Sequence, residues 1–179
     1  MIILLDVDGV VADMVGPLLA WAELYQLSED IIDYDFVKCL TLEEREEVEA
    51  IMERPEFWEH GVGLMYGCRS FESGPVYANH EVHFVTTPYR GCNGMTNARD
   101  EWIAECFGDS FVDRVTYTSQ KHLVRGDRFL DDKPENVSKW QEWNPEGQAW
   151  IFDQPWNRKF DWPRRFMGWT EAEVARFLG

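Results

Sequence analysis

The first apolar run, Ile2-Ile3-Leu4-Leu5, contains no polar residue and stops at Asp6-Val7-Asp8-Gly9. A short run without alternation, closed by a turn signal, predicts a strand buried on both faces, as in a parallel sheet. From about Met14 to Tyr25 the spacing turns helical, with Leu18, Leu19, Trp21, Ala22 and Tyr25 able to share one face. Residues 28–40 are mixed. Thr41-Leu42-Glu43-Glu44 has the form of a capping box and opens an acidic helix to about Arg54, which Pro55 ends. Further on, strands are predicted at 82–86, 112–118, 128–130 and 148–153, with helices at about 96–107, 137–143 and from about Thr170.

Strands alternating with helices predict an α/β fold, a parallel sheet with helices on both faces. The stretch between the first strand and the one at 82–86 exceeds an ordinary crossover. A small, mostly helical subdomain is therefore expected at 14–65, with residues 1–13 and 66–179 forming the α/β core.

Composition narrows the function. In 179 residues, 33 Asp and Glu face 17 Lys and Arg, for a formal net charge of −16. That balance argues against a long grip on a nucleic-acid backbone, which needs clustered cations. It leaves room for a small phosphorylated ligand held by one local cation or a metal. No apolar run approaches the ~20 residues of a membrane span. The N-terminus has neither a basic n-region nor a small-residue cleavage site, which argues against a signal peptide. Cys39, Cys68, Cys92 and Cys106 form no C-x-x-C pair, so reduced thiols in a cytoplasmic protein are expected.

The candidate chemistry lies at predicted strand ends: Asp6 and Asp8, then Thr86 and Thr87, then Asp131 and Asp132. In an open parallel sheet those ends share the edge where ligands bind. Four carboxylates there would repel one another unless a cation neutralised them, and hard oxygen ligands in small number suit Mg²⁺. Lys121, ten and eleven residues before the two acids, could meet a phosphoryl group. One Asp can attack phosphorus to form an aspartyl-phosphate, while a second, two residues on, protonates the leaving oxygen and then activates water. Thr, Lys and backbone N–H groups at 7–9 could hold the remaining oxygens.

Asp6-Val7-Asp8-Gly9-Val10-Val11-Ala12-Asp13 resembles the first motif of haloacid dehalogenase-superfamily phosphatases, and within them the 5'(3')-deoxyribonucleotidase family. Phe84-Val85-Thr86-Thr87-Pro88 resembles that family's second motif. The segment from Lys121 to Lys133, with Asp131-Asp132 near its end, resembles the third and fourth at matched spacing, and Pro55-Glu56-Phe57-Trp58 resembles a stretch of its cap. The resemblance implies a Rossmann-like three-layer core with a cap inserted after the first strand. It implies Asp6 as nucleophile and Mg²⁺ ligand, and Asp8 as general acid/base, binding metal through its carbonyl. It implies Thr86 and Lys121 on the phosphate, and Asp132 on the metal with Asp131 beside it; the sequence does not separate those two acids. Deoxyribonucleoside monophosphates are the implied substrates, with aromatic cap residues on the base. Phe57 and Trp58 are the candidates, with Phe36 a weaker one. Thr87 replaces the family's Ser, and Met14 stands where animal members carry a substrate-touching Phe, so both are counted as substrate-binding positions.

Other features have plainer readings. Among the histidines only His60, near the cap aromatics, is a candidate for the pocket. Gln154-Pro155-Trp156-Asn157-Arg158 follows a predicted strand and is either an active-site loop or a rigid turn. Six of the nine Trp fall in the last 40 residues without a functional assignment. The leading expectation is a Mg²⁺-dependent phosphatase acting on nucleoside monophosphates, with no polynucleotide or membrane partner and a homodimer as the candidate assembly. The competing ones are a phosphatase for a sugar phosphate or an oligonucleotide 3' phosphate, and a catalytically silent nucleotide-binding protein.

Overall fold

The structure, a computed structural model, describes residues 1–24, 36–68 and 79–179. Among the described residues, six parallel strands form the main sheet. In chain order these are β1 (Ile2–Leu5), β4 (Glu81–Thr86), β5 (Val115–Tyr117), β6 (Arg128–Asp131), β7 (Gln148–Phe152) and β8 (Arg165–Phe166). Their spatial order is β5-β4-β1-β6-β7-β8, so β1 lies inside the sheet with β4 and β6 as its neighbours.

Successive side chains alternate between faces. Leu4, Val85, Phe129 and Ile151 pack with Val137 and Trp140 of α4 (Pro134–Trp143). Ile3, Leu5, Phe84 and Leu130 belong to the other face, with Trp102 and Ile103 of α3 (Met95–Phe107) and Val174 and Phe177 of α5 (Glu171–Leu178). Helices thus cover both faces, as the strand and helix alternation predicts.

A second, two-stranded antiparallel ladder pairs β2 (Ala12–Asp13) with β3 (Gly63–Leu64). Between them lie α1 (Val15–Trp21), α2 (Leu42–Met52) and a π-helical turn at Phe57–Gly61. Thr41 and Glu44 make the reciprocal capping box at the start of α2. Helix α1 ends sooner than expected: Ala22 caps it and Glu23 takes a left-handed φ of 57°. The mixed segment from Ser28 lies largely outside the described residues.

One expectation fails for a local reason. The apolar stretch predicted as a strand from 112 opens instead as a 3-10 helix, Asp109–Arg114. Gly108, at φ 96°, turns the chain, and Phe111 folds back onto Phe84 and Phe107. Strand pairing begins only at Val115. The two-residue strands β2, β3 and β8 are too short to leave a periodic signal.

Candidate active site

Strand β1 delivers Asp6 and Asp8, β4 delivers Thr86, and β6 ends in Asp131-Asp132. A 3-10 turn, Lys121–Leu123, follows β5 and carries Lys121 inward. These strand ends line a polar cavity of about 180 Å³ that includes Asp6, Asp8, Thr86, Lys121, Lys133 and Asn136. It shares Asp8, Thr87 and Lys133 with a larger cleft of about 540 Å³. The cleft walls are mostly apolar, with Met14, Val37, Met52, Trp58, Tyr89 and Trp156 among them.

The carboxylates are not equivalent. Asp6 Oδ1 accepts from Val7 N–H at 2.7 Å and from Lys121 Nζ at 2.6 Å. No protein donor meets Asp6 Oδ2 among the described residues. Asp131 is saturated: Lys133 N–H and Asn136 Nδ2 reach its Oδ1, while Lys121 Nζ (2.8 Å) and Asn136 Nδ2 reach its Oδ2. A carboxylate offers about four lone-pair positions, so these four contacts use them up. Asp132 differs again. Its Oδ2 accepts from Trp156 Nε1 at 3.1 Å, while its Oδ1 is buried without a hydrogen-bond partner. Such an orphan is costly unless something binds it.

Asp6, Asp131 and Asp132 bring ligand oxygens within 4.8 Å of one another. Burial, then Asp131, push the Asp6 carboxyl up to about 8 against the pull of Lys121. Burial, Asp131 and Asp6 raise Asp132 well above the usual carboxylate range. Burial works against the Lys121 charge, but Asp131 and Asp6 outweigh it and hold the ammonium above the ordinary lysine range. Three buried acids with one ammonium are short of positive charge, and the unpartnered Asp132 oxygen gives a cation a ligand. The donor set fits Mg²⁺, which favours hard oxygen ligands and keeps waters of its own.

The loop after β1 is shaped for close approach. Gly9, at φ 80°, packs so tightly on Asp132 that a Cβ there would strike its carboxylate. The segment from Gln154 to Arg158 belongs to the site rather than to a free surface turn. Gln154 Nε2 donates to the Gly9 carbonyl at 2.7 Å, and Asn157 Nδ2 donates to the Asp132 carbonyl at 2.8 Å.

The remaining expected positions divide between the cavities and the surrounding packing. Asp8 stands apart from the three-acid cluster and pairs with Arg99, whose Nη2 is 2.6 Å from its Oδ1. Phe57 does not reach the cleft: it is fully buried, edge-on to Trp21 and Trp58. Trp58 does line the cleft and lies 6.0 Å from Tyr89, centroid to centroid. His60 is exposed and bonds Glu59 rather than facing the pocket. Thr87 is on the rim and donates to the Thr118 carbonyl. Phe36 opens a 3-10 turn, Phe36–Cys39, and its side chain lies outside the described residues.

Sequence reasoning gave no role to Arg99, Tyr89 or Asn136. Lys133, next to the acid pair, was within reach of inspection. Arg99 carries no local signal. The C-terminal tryptophans now divide. Trp156 braces Asp132, while Trp140, Trp162 and Trp169 donate to the carbonyls of Val124, Ala149 and Val10.

Adjacent parallel strands deliver the acidic and hydroxyl residues, a lysine is carried in after the edge strand, and the whole sits on a haloacid dehalogenase-like fold. A HAD family hydrolase from Deinococcus radiodurans, described with bound phosphate and sodium, has this fold. Its TM-score is 0.54 at 13% identity, over 97% of this chain and 93% of that one. Residues 1–177 match the family described as 5' nucleotidase, deoxy (pyrimidine), cytosolic type C protein, and the chain belongs to that family of nucleotidases. It is similar to the cytosolic-type 5'(3')-deoxyribonucleotidase of Homo sapiens, at 24% identity over 94% of this chain and 89% of the relative. It is also similar to the 5'(3')-deoxyribonucleotidase of Bacillus subtilis (strain 168), at 24% identity over 96% of each.

Proposed function

We propose that this chain hydrolyses deoxyribonucleoside monophosphates, with Mg²⁺ bound, through a phosphoryl group carried on Asp6. The observation that supports this best is the unequal treatment of the acids. One oxygen of Asp6 is tied down and the other is open to the polar cavity, while Asp132 keeps a buried oxygen unpartnered. A merely solvated acidic edge would not be divided in this way.

Asp6, Asp132 and the Asp8 carbonyl are the groups that would hold the metal. Asp131, with its lone pairs taken, orients Lys121 and Asn136 instead. Bound Mg²⁺ would neutralise the buried acids and draw charge from the phosphoryl oxygens. Lys121 fixes the nucleophile through Oδ1 and offers positive charge to the phosphoryl group. Thr86, buried at the end of β4, is placed to hold a phosphoryl oxygen, and Thr87 borders the same cavity. Asp6 attacks phosphorus, and Asp8 protonates the departing nucleoside oxygen. Asp8 then takes a proton from water, which attacks phosphorus and returns Asp6 to a carboxylate.

The larger cleft suits a nucleoside. Its walls are apolar, with the part-exposed Tyr89 as the ring open to a base and the nearly buried Trp58 packed behind it. We read residues 14–65, with β2 and β3 at their neck, as a cap over the strand ends. A cytoplasmic setting fits such a substrate; among the described residues no helix is long and apolar enough to cross a membrane.

Phosphate release from a panel of deoxy- and ribonucleoside monophosphates, sugar phosphates and 3'-phosphorylated oligonucleotides tests this reading. The expected result is release from deoxyribonucleoside monophosphates that EDTA abolishes. Release confined to sugar phosphates or oligonucleotides would overturn the substrate assignment. Binding of nucleotides without turnover would overturn the enzyme mechanism.

A further inference from the structure

We propose that Arg99 is a positioning residue for this reaction, holding the Asp8 carboxyl group where it meets the leaving oxygen; this rests on the reading of Asp8 as the general acid. Arg99 lies in α3, 91 residues from Asp8 in sequence, and is fully buried. Its guanidinium lies over two indole rings, 5.3 Å from the centroid of Trp58 and 5.2 Å from that of Trp102. Its Nε and Nη1 are buried and meet no acceptor among the described residues. The polar contact it makes there is the 2.6 Å bond to Asp8 Oδ1.

That arrangement is poor as a device for stability. Burying a guanidinium is costly, and buried ion pairs often add less than an apolar replacement would. It is well suited to orientation. The two indoles hold the planar fork, and the fork fixes one oxygen of a side chain that would otherwise choose among rotamers. Asp8 needs such a hold, because it lines both cavities and keeps 24% of its side chain exposed, against 7% for Asp6. Trp58, itself nearly buried, also borders the larger cleft. One cation therefore packs on an indole behind the cleft wall and holds the group that meets the leaving oxygen.

In the first half-reaction an Asp6 oxygen forms a bond to phosphorus while the bond from phosphorus to the nucleoside oxygen breaks. The electron pair of the broken bond stays on that oxygen, which takes the proton of the Asp8 carboxyl. Asp8 is left as a carboxylate facing Arg99. Arg99 exchanges no proton; it sets the direction of transfer and meets the charge that develops.

The test compares two substrates on each preparation. A nucleoside 5' oxygen is a poor leaving group and needs the proton, whereas the p-nitrophenolate of p-nitrophenyl phosphate leaves with little help. The parameter kcat/KM covers only steps up to leaving-group release, so the later water step does not enter. The ratio of the two values is also independent of how much protein is folded. For Arg99→Gln we expect kcat/KM on a deoxyribonucleoside monophosphate to fall about 10- to 100-fold, and on p-nitrophenyl phosphate less than about threefold. Arg99→Lys, which keeps charge but loses the fork, should lie between Arg99→Gln and the parent chain. Asp8→Asn should show the same selective loss. Equal losses on both substrates, or none, in Arg99→Gln overturn the proposal for Arg99. A parent chain that hydrolyses neither substrate, or an Asp8→Asn variant without selectivity, overturns the mechanism it rests on.

Discussion

Mg²⁺ should stabilise this fold more strongly as pH rises from about 6 to about 8, and gain little above that. Without metal, three buried carboxylates lie within 4.8 Å of one another, and Lys121 lies between two of them. Burial and Asp131 place the Asp6 carboxyl at about 8 rather than 3.8, and Asp132 is raised by burial and the same neighbours. A carboxyl raised on folding contributes stability below its unfolded value, and that contribution is lost as pH climbs through the folded value. The metal-free fold should therefore weaken between about pH 4 and about pH 8. Mg²⁺ takes the ionised form, so its affinity gains about tenfold per pH unit for each proton it displaces. One proton over about two pH units is about 2.7 kcal/mol. At roughly 2–4 °C per kcal/mol for a chain of this size, the Mg²⁺-induced rise in Tm should grow by roughly 5–10 °C. Thermal melts in excess EDTA and in excess Mg²⁺, from about pH 6 to about pH 9, measure it directly. A Mg²⁺ effect of equal size at every pH, or largest at the acid end, would mean that the metal does not displace a proton from these acids.

Three further outcomes follow from contacts at the site. Trp156→Phe removes the indole donor to Asp132 Oδ2 while keeping most of the ring, so Mg²⁺ activation should need about tenfold more metal with the fold intact; titrating phosphate release with Mg²⁺ checks this. Gly9→Ala forces a side chain onto a left-handed backbone, at about 1–2 kcal/mol, and into the Asp132 carboxylate, so denaturant melts should show the loss and Mg²⁺ activation should weaken too. Lys121→Met leaves Asp6 and Asp131 buried without their cation, which should cost about 3–5 kcal/mol in a denaturant melt and abolish phosphate release.

What the sequence showed depended on whether the signal was local. Each strand that carries chemistry is an apolar run ending in acid or hydroxyl, so the edge formed by Asp6, Thr86 and Asp131-Asp132 could be read without coordinates. The capping box at Thr41 and Glu44 was legible for the same reason. Which of the adjacent acids keeps an unpartnered oxygen was not, because the answer depends on how the chain turns at Lys133 to bring its N–H and Asn136 onto Asp131, and on Trp156 from a later loop. Arg99 was invisible for the same cause: nothing within its own helix marks it as the partner of Asp8. Phe57 and Trp58 are neighbours in sequence and both are buried in the π-helical turn, yet only Trp58 also borders the cleft. The tryptophan-rich C-terminus looked like a single feature. In the fold three of its six indoles donate to separate backbone carbonyls, Trp150 Nε1 is buried without a hydrogen-bond partner among the described residues, and only Trp156 touches an acid of the site.

Whether Asp6 carries the phosphoryl group is decided by rapid acid quench followed by peptide mass spectrometry. With a deoxyribonucleoside monophosphate and Mg²⁺ present, the peptide containing Asp6 should gain the mass of one phosphoryl group, and that mass should be lost on hydroxylamine treatment. Asp6→Asn should neither gain it nor release phosphate. Steady turnover with no phosphorylated Asp6 peptide at any quench time, or turnover that survives in Asp6→Asn, would rule out Asp6 as the phosphoryl carrier.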